Sequence, residues 1–267
     1  MVISEHLDSG APSSAVVRTS RIERSRKYGI AVFGSEVRIE STLVADTTRT
    51  AANEGGWGIV LSSYSRPAKA TLRSCLLERN QRIGVAAMSA EVAIEATKID
   101  DTLAAAEGSG VGLYVAAFSE IDVPAQVTLT GSIVQRSKAT GIHVVGSSLQ
   151  IDATIASDTA TRPDGAYGDG IVIVQHNLPT TARISNSLVA RNARTGIGVW
   201  GGTLTLADTQ NECNGIDLAS FKTSAPTTFE DLGGNLCGCN KPESCAVEST
   251  NLSIPEPPTG PPLDPGN

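Results

Sequence analysis

Apolar residues return along this chain at intervals too regular for chance and wrong for a helix. Val17, Ile39, Leu72, Ile94, Leu129, Ile151, Ile184 and Leu206 fall 22, 33, 22, 35, 22, 33 and 22 residues apart. Three positions after each anchor stands Ser, Thr or Cys: Ser20, Thr42, Cys75, Thr97, Ser132, Thr154, Ser187 and Thr209. Five positions after lie Ile22, Val44, Leu77, Ile99, Val134, Ala156 and Val189, with Asn211 the polar exception. Eight positions after come Ser, Thr or Asn, and later in every unit a glycine precedes an aliphatic residue, from Gly29 to Gly215.

Within a unit, apolar and other residues alternate over three short stretches separated by small or polar residues, the pattern of strands joined by tight turns. No LxxLxL core recurs and no helical stripe fits between the strands, which sets aside a leucine-rich solenoid. Three strands per turn, each stacked on its equivalent in the next turn, make a parallel β-helix. The Ser/Thr/Cys and Asn/Ser/Thr columns then bridge adjacent turns through hydroxyls and amides. The glycine before the third strand is expected to supply a backbone conformation that a Cβ disfavours.

The units ISNSLVARNARTGIGV, LRSCLLERNQRIGVAA and LTGSIVQRSKATGIHV resemble those of the right-handed parallel β-helix repeat family, the pectin-lyase-like superfold, over roughly residues 2–218. The resemblance implies an all-β, right-handed coil, here of about eight three-stranded turns. It says little of activity, because this superfold hosts lyases, hydrolases, epimerases, adhesins and spikes. The expected organisation is a solenoid over residues 1–218 that starts in the middle of a turn of a longer one, a Cys-rich C-terminal cap over 219–250, and a Pro/Gly-rich disordered tail over 251–267.

Short and long turns alternate, so that two turns repeat every 55 to 57 residues. Charge follows the same alternation. Seven positions after the anchors stand Arg24, Asp46, Arg79, Asp101, Arg136, Asp158 and Arg191, and one position after stand Arg18, Glu40, Arg73 and Glu95. Columns of alternating sign predict ion pairs that set register, and they use up acids that an active site would need.

Composition narrows the partners. Aromatics make up 4% of the chain and its net charge is −7, which argues against a nucleic-acid binder. No apolar run reaches the length of a membrane helix, and residues 1–12 lack the pattern of a signal peptide. Cys75 sits in the hydroxyl column and reads as a buried thiol. Cys213, Cys237, Cys239 and Cys245 allow two disulfides, or zinc through CxC and C-x5-C; the lack of an accompanying His favours disulfides. Disulfides imply an oxidising, extracellular or surface setting.

The third strand is apolar on both faces, with Tyr114 and His143 among its outward residues. That face is either a contact surface or is covered by the long inserts. Tyr64, Phe118 and His176 recur six residues past the long-turn glycines, about 9.6 Å apart by strand spacing. Their rings could stack on successive units of a glycan or anchor the inserts; Trp57 and Tyr167 carry the same ambiguity. Asp164, Asp169, Glu120 and Asp122 are scattered on different inserts, so neither a catalytic set nor a metal site is expected, and calcium has no support. The expected function is a non-catalytic extracellular or surface module offering an elongated face to a polysaccharide or protein partner. The alternatives are a polysaccharide lyase, hydrolase or epimerase with its site among the inserts, and a structural spacer.

Overall fold

The computed structural model describes residues 1–6, 9–104, 110–117, 123–221 and 225–255. Three sheets of nine or ten strands run the length of the molecule, and no described residue is helical. The anchor sheet runs from Ser14–Arg18 through Glu36–Glu40, Lys69–Arg73, Glu91–Glu95, Gln126–Thr130, Ser148–Asp152, Thr181–Ser185 and Gly202–Ala207 to Thr227–Asp231. The short sheet runs from Arg21–Glu23 to Leu236–Cys237 in three-residue strands, ending in a two-residue one. The glycine sheet runs from Val2–Ser4 and Tyr28–Phe33 to Ile216–Phe221 and Glu248–Thr250. Among the described residues every strand pairs in parallel except Leu236–Cys237 with Glu243–Ser244, and Arg49 forms an isolated antiparallel bridge with Gly55.

Register follows the sequence columns. Val17, Ile39, Leu72, Ile94, Leu129, Ile151, Ile184 and Leu206 each pair with the next. A one-residue slip would turn every one of these side chains out of the core. The coil has about nine turns rather than eight, because Thr227–Asp231, Leu236–Cys237 and Glu248–Thr250 extend all three sheets. The segment expected as a cap thus adds a turn of its own.

The hydroxyl column forms a ladder between turns. The backbone N–H of Thr97 donates to Ser132 Oγ at 3.1 Å, that of Ser132 to Thr154 Oγ1 at 3.3 Å, and that of Thr154 to Ser187 Oγ at 3.1 Å. Each hydroxyl in turn donates to the carbonyl two residues back, as Thr97 does to Glu95 at 2.9 Å. Ser132, Thr154 and Thr97 are buried, and such satisfied bonds contribute about 1 kcal/mol each. Asn235 takes over in the ninth turn, where its Oδ1 accepts from the N–H of Thr209 at 3.0 Å.

The repeated glycine has a different cause from the one expected. Gly29, Gly58, Gly84, Gly112, Gly141 and Gly170 do not have positive φ. What they provide is space: a Cβ on Gly84 would lie 2.6 Å from the carbonyl oxygen of Gly112 and 2.6 Å from Ile99 Cγ2. The left-handed corners lie elsewhere. Thr19, Ser41, Ser74, Ala96, Ala153, Asn186 and Asp208 hold φ between 45° and 54°, two positions after the anchors. The alternating Arg/Asp column is left-handed too, with φ between 48° and 57°.

The charge columns pair across turns. Arg79 meets Asp46 at 2.8 Å, Arg191 meets Asp158 at 2.8 Å and Arg18 meets Glu40 at 2.8 Å. Arg136 instead reaches Asp100, one residue before its column partner. The Arg79 guanidinium holds the Asp46 carboxyl below the usual carboxylate range, and Arg191 does the same for Asp158. Exposed pairs of this kind contribute about 0–1 kcal/mol each.

The Cys213–Cys239 disulfide ties the ninth turn to the eighth, and Cys237–Cys245 closes a short loop within the ninth. Cys75 is free and buried, and burial pushes its thiol up. Replacing both Cys213 and Cys239 by Ser should cost roughly 3 kcal/mol, as expected for a closed loop of this size. Hydrogen exchange should then show protection lost over residues 227–250 but kept over 110–200. Uniform loss along the coil would refute a local staple.

Candidate functional site

The outer face of the glycine sheet is closed. Ala31, Phe33, Val60, Ala86, Met88, Tyr114 and Ala116 form one buried cluster with Trp57, Ile83 and Val111. Val172, Val174, Trp200, Ala219 and Phe221 form a second, with Leu252 packed against it. Connections between the sheets are laced to one another beside this face. The Glu5 carboxylate accepts from the N–H of Ser65 at 3.1 Å and its hydroxyl at 2.8 Å, and Thr180 Oγ1 donates to the Val174 carbonyl at 2.7 Å while accepting from the N–H of Gly146.

Three of the expected ligand contacts are corrected by this closure. Trp57, Tyr114 and His143 are 3%, 8% and 1% exposed, so their rings offer no face to a ligand. Apolar residues on both sides of the strand draw a second cover of chain across it. Trp57 packs on Tyr28, and Tyr114 meets His143 edge-on with ring centroids 5.7 Å apart. Burial pushes the Tyr114 hydroxyl up to about 12 and the His143 imidazole down to about 3. Among the described residues neither His143 ring nitrogen has a hydrogen-bond partner.

Tyr64 and His176 are exposed, on the connections that lead from the glycine sheet to the anchor sheet. Phe118, Glu120 and Asp122 lie outside the described residues. Tyr167 is buried between Arg162 and Arg194, whose guanidinium carbons are 5.4 and 5.1 Å from its ring centre. Asp169 is buried and accepts from Arg194 Nε at 2.8 Å and Thr195 Oγ1 at 2.7 Å. Asp164 pairs with Arg162 at 2.8 Å. These acids are structural partners, and among the described residues no three His, Cys, Asp or Glu side chains converge.

The open face is the outside of the anchor sheet, a shallow trough of about 930 Å³ that spans eight strands from Ser14–Arg18 to Gly202–Ala207. Its floor is two columns, one and three positions before the anchors. These are the outward members of the same alternation that buries the anchors, so the signal was present in the sequence. Sequence alone does not single it out, because polar outward residues on a strand ordinarily mean only solvent.

The trough has two halves. In the first, Lys69 bonds Glu91 at 2.8 Å, and Arg38 bonds Glu40, a neighbour of the floor. The Glu91 carboxylate raises the Lys69 ammonium above the usual lysine range, the reverse of what a proton-abstracting lysine requires. In the second half, Gln126, Thr128, Ser148, Gln150, Thr181 and Thr203 present neutral donors and acceptors, interrupted by Arg183, while Thr205 is buried and donates to the Glu230 carboxylate at 3.1 Å. Rows of hydroxyls and amides about 4.8 Å apart suit a long, uncharged, hydroxyl-rich ligand.

The model of a family described as "Right handed beta helix region" matches residues 9–212. A search of curated proteins found no match. Among solved structures, the catalytic domain of a GH87 alpha-1,3-glucanase, solved with tetrasaccharides, aligns at 13% identity and a TM-score of 0.44. That alignment covers 84% of this chain and 46% of the glucanase domain, so the chain spans less than half of it. Pectate lyase Pel9A aligns at 11% identity and a TM-score of 0.34, over 84% of this chain and 69% of the lyase.

Proposed function

From the premise that this chain belongs to the right-handed β-helix family, we propose that it is a non-catalytic recognition module that binds an extended, neutral polysaccharide along the anchor-sheet trough. The observation that carries this reading is the neutral part of that trough, where Thr128 pairs with Gln150 and Gln126 with Ser148 at successive outward positions. Tyr64 and His176 are exposed on the connections that lead into this sheet, and aromatic and imidazole rings of this kind can stack on sugars. The two disulfides support an extracellular setting.

The test is retention on a panel of polysaccharides, read together with ultraviolet absorbance from unsaturated products. Retention of a neutral glycan without turnover is expected. It should fall about tenfold or more in Thr128→Ala/Gln150→Ala, the loss of about 1.4 kcal/mol that two hydrogen bonds account for. A separate Tyr64→Ala/His176→Ala variant reads the contribution of those two rings. New absorbance on a uronate polymer would replace the reading with a lyase. Retention indifferent to the trough variant would move the ligand elsewhere.

A further inference from the structure

The short sheet also turns a face to solvent, and its outward residues stand four positions after the anchors. From the second turn to the seventh these are Leu43, Leu76, Lys98, Ile133, Ile155 and Leu188, paired strand to strand. All six are partly exposed, while the residue after each points into the core. Lys98 turns its ammonium to Asp100 at 2.8 Å, which leaves its methylene stem in the row. The result is an aliphatic ridge about 24 Å long, five strand spacings.

Beside the ridge runs the corner column Asp46, Arg79, Asp101, Arg136, Asp158 and Arg191. Its members bonded across turns remain between 37% and 55% exposed at the side chain. A strictly alternating row of six charges is its own complement when reversed. A two-fold axis that lies in this face, crosses the solenoid and passes between the fourth and fifth turns sets every column against itself in reverse. Asp46 then meets Arg191 of the other copy, Arg79 meets Asp158 and Asp101 meets Arg136. The ridge meets itself as well, with Leu43 against Leu188, Leu76 against Ile155 and Lys98 against Ile133. Sliding one copy by a single turn sets Arg against Arg and Asp against Asp.

We propose that this face is a self-association surface on which two copies of the chain pack antiparallel in that register. The patch is narrow, only three-residue strands wide, and falls short of the roughly 1,200–2,000 Å² buried by a standard stable interface. The dimer is therefore a weak one that forms at high concentration, and salt weakens it by screening the corner charges.

Sedimentation velocity of the disulfide-intact chain, from about 5 µM to about 1 mM, reads the association constant directly. The expected result is a monomer–dimer equilibrium that Leu76→Glu weakens at least tenfold. Circular dichroism of that variant should match the parent chain, which separates lost association from lost folding. Register is read by mixing a Leu43→Cys chain with a Leu188→Cys chain under mild oxidation. Cross-links should form in the mixture and not in either variant alone. A monomer throughout the concentration range, association indifferent to Leu76→Glu, or cross-links in the Leu43→Cys chain alone would each overturn the proposal.

Discussion

Acidification from pH 7 to pH 4 should cost the fold roughly 3 kcal/mol through one side chain, His143. Its imidazole is sealed under the cover of the glycine sheet between Tyr114 and Val172, with no partner for either nitrogen among the described residues. Burial holds its protonation down to about pH 3, whereas the same group in the unfolded chain takes up a proton near pH 6.5. Between those values only the unfolded chain binds the proton. Stability is therefore full above about pH 6.5 and falls as pH falls through the window. His143→Leu keeps the volume close and removes the titration. Urea unfolding at pH 7 and pH 4 should show the variant losing about 3 kcal/mol less than the parent chain. It should also be more stable at pH 7 by about 1–3 kcal/mol, because two desolvated nitrogens go. The carboxylates held down by arginines, Asp46 and Asp158, lose their contribution on acidification in both chains alike, so the difference isolates His143. Equal losses in the two chains would show that the imidazole titrates normally and is not sealed.

Gly84→Ala should lower stability by about 3 kcal/mol or more. The new methyl would stand 2.6 Å from the carbonyl oxygen of Gly112 in the next turn and 2.6 Å from Ile99 Cγ2. That carbonyl belongs to a parallel pairing and cannot retreat without opening it. Gly131 is the control, since it has φ +56° and nothing within 4 Å of a Cβ. Gly131→Ala should cost only about 1 kcal/mol, because Ala96 and Ala153 already occupy the same corner in neighbouring turns. Thermal unfolding of the two variants checks the contrast. A Gly84→Ala loss no larger than that of Gly131→Ala would mean that space does not fix the glycine column.

The anchors made the coil legible because identical turns impose identical burial. Val17 through Leu206 could be aligned on paper and pair in that same order. The ninth turn escaped because its pairings break the pattern: Leu206 meets Asp231, and only Leu204 against Phe229 keeps an apolar match. The glycine column is legible as a column but its cause is not, since sequence records that a side chain is missing and not what would collide with it. The closed outer face of the glycine sheet was ambiguous in principle. A strand apolar on both sides wants cover, and cover can come from the same chain or from a ligand. The trough and the ridge were visible as alternating outward positions, yet only the fold shows that one stays open along eight strands and that the other lines up aliphatic residues.

The alternation of sign at the corners limits how such a molecule can change length through descent. Duplicating or deleting one turn would bring two arginines or two aspartates face to face and would set two long inserts, or two short corners, side by side. Duplicating or deleting two turns leaves every neighbour of opposite sign and every insert in phase. The heritable unit of this solenoid is thus the pair of turns, a block of 55 to 57 residues, and relatives of different length should differ by whole blocks.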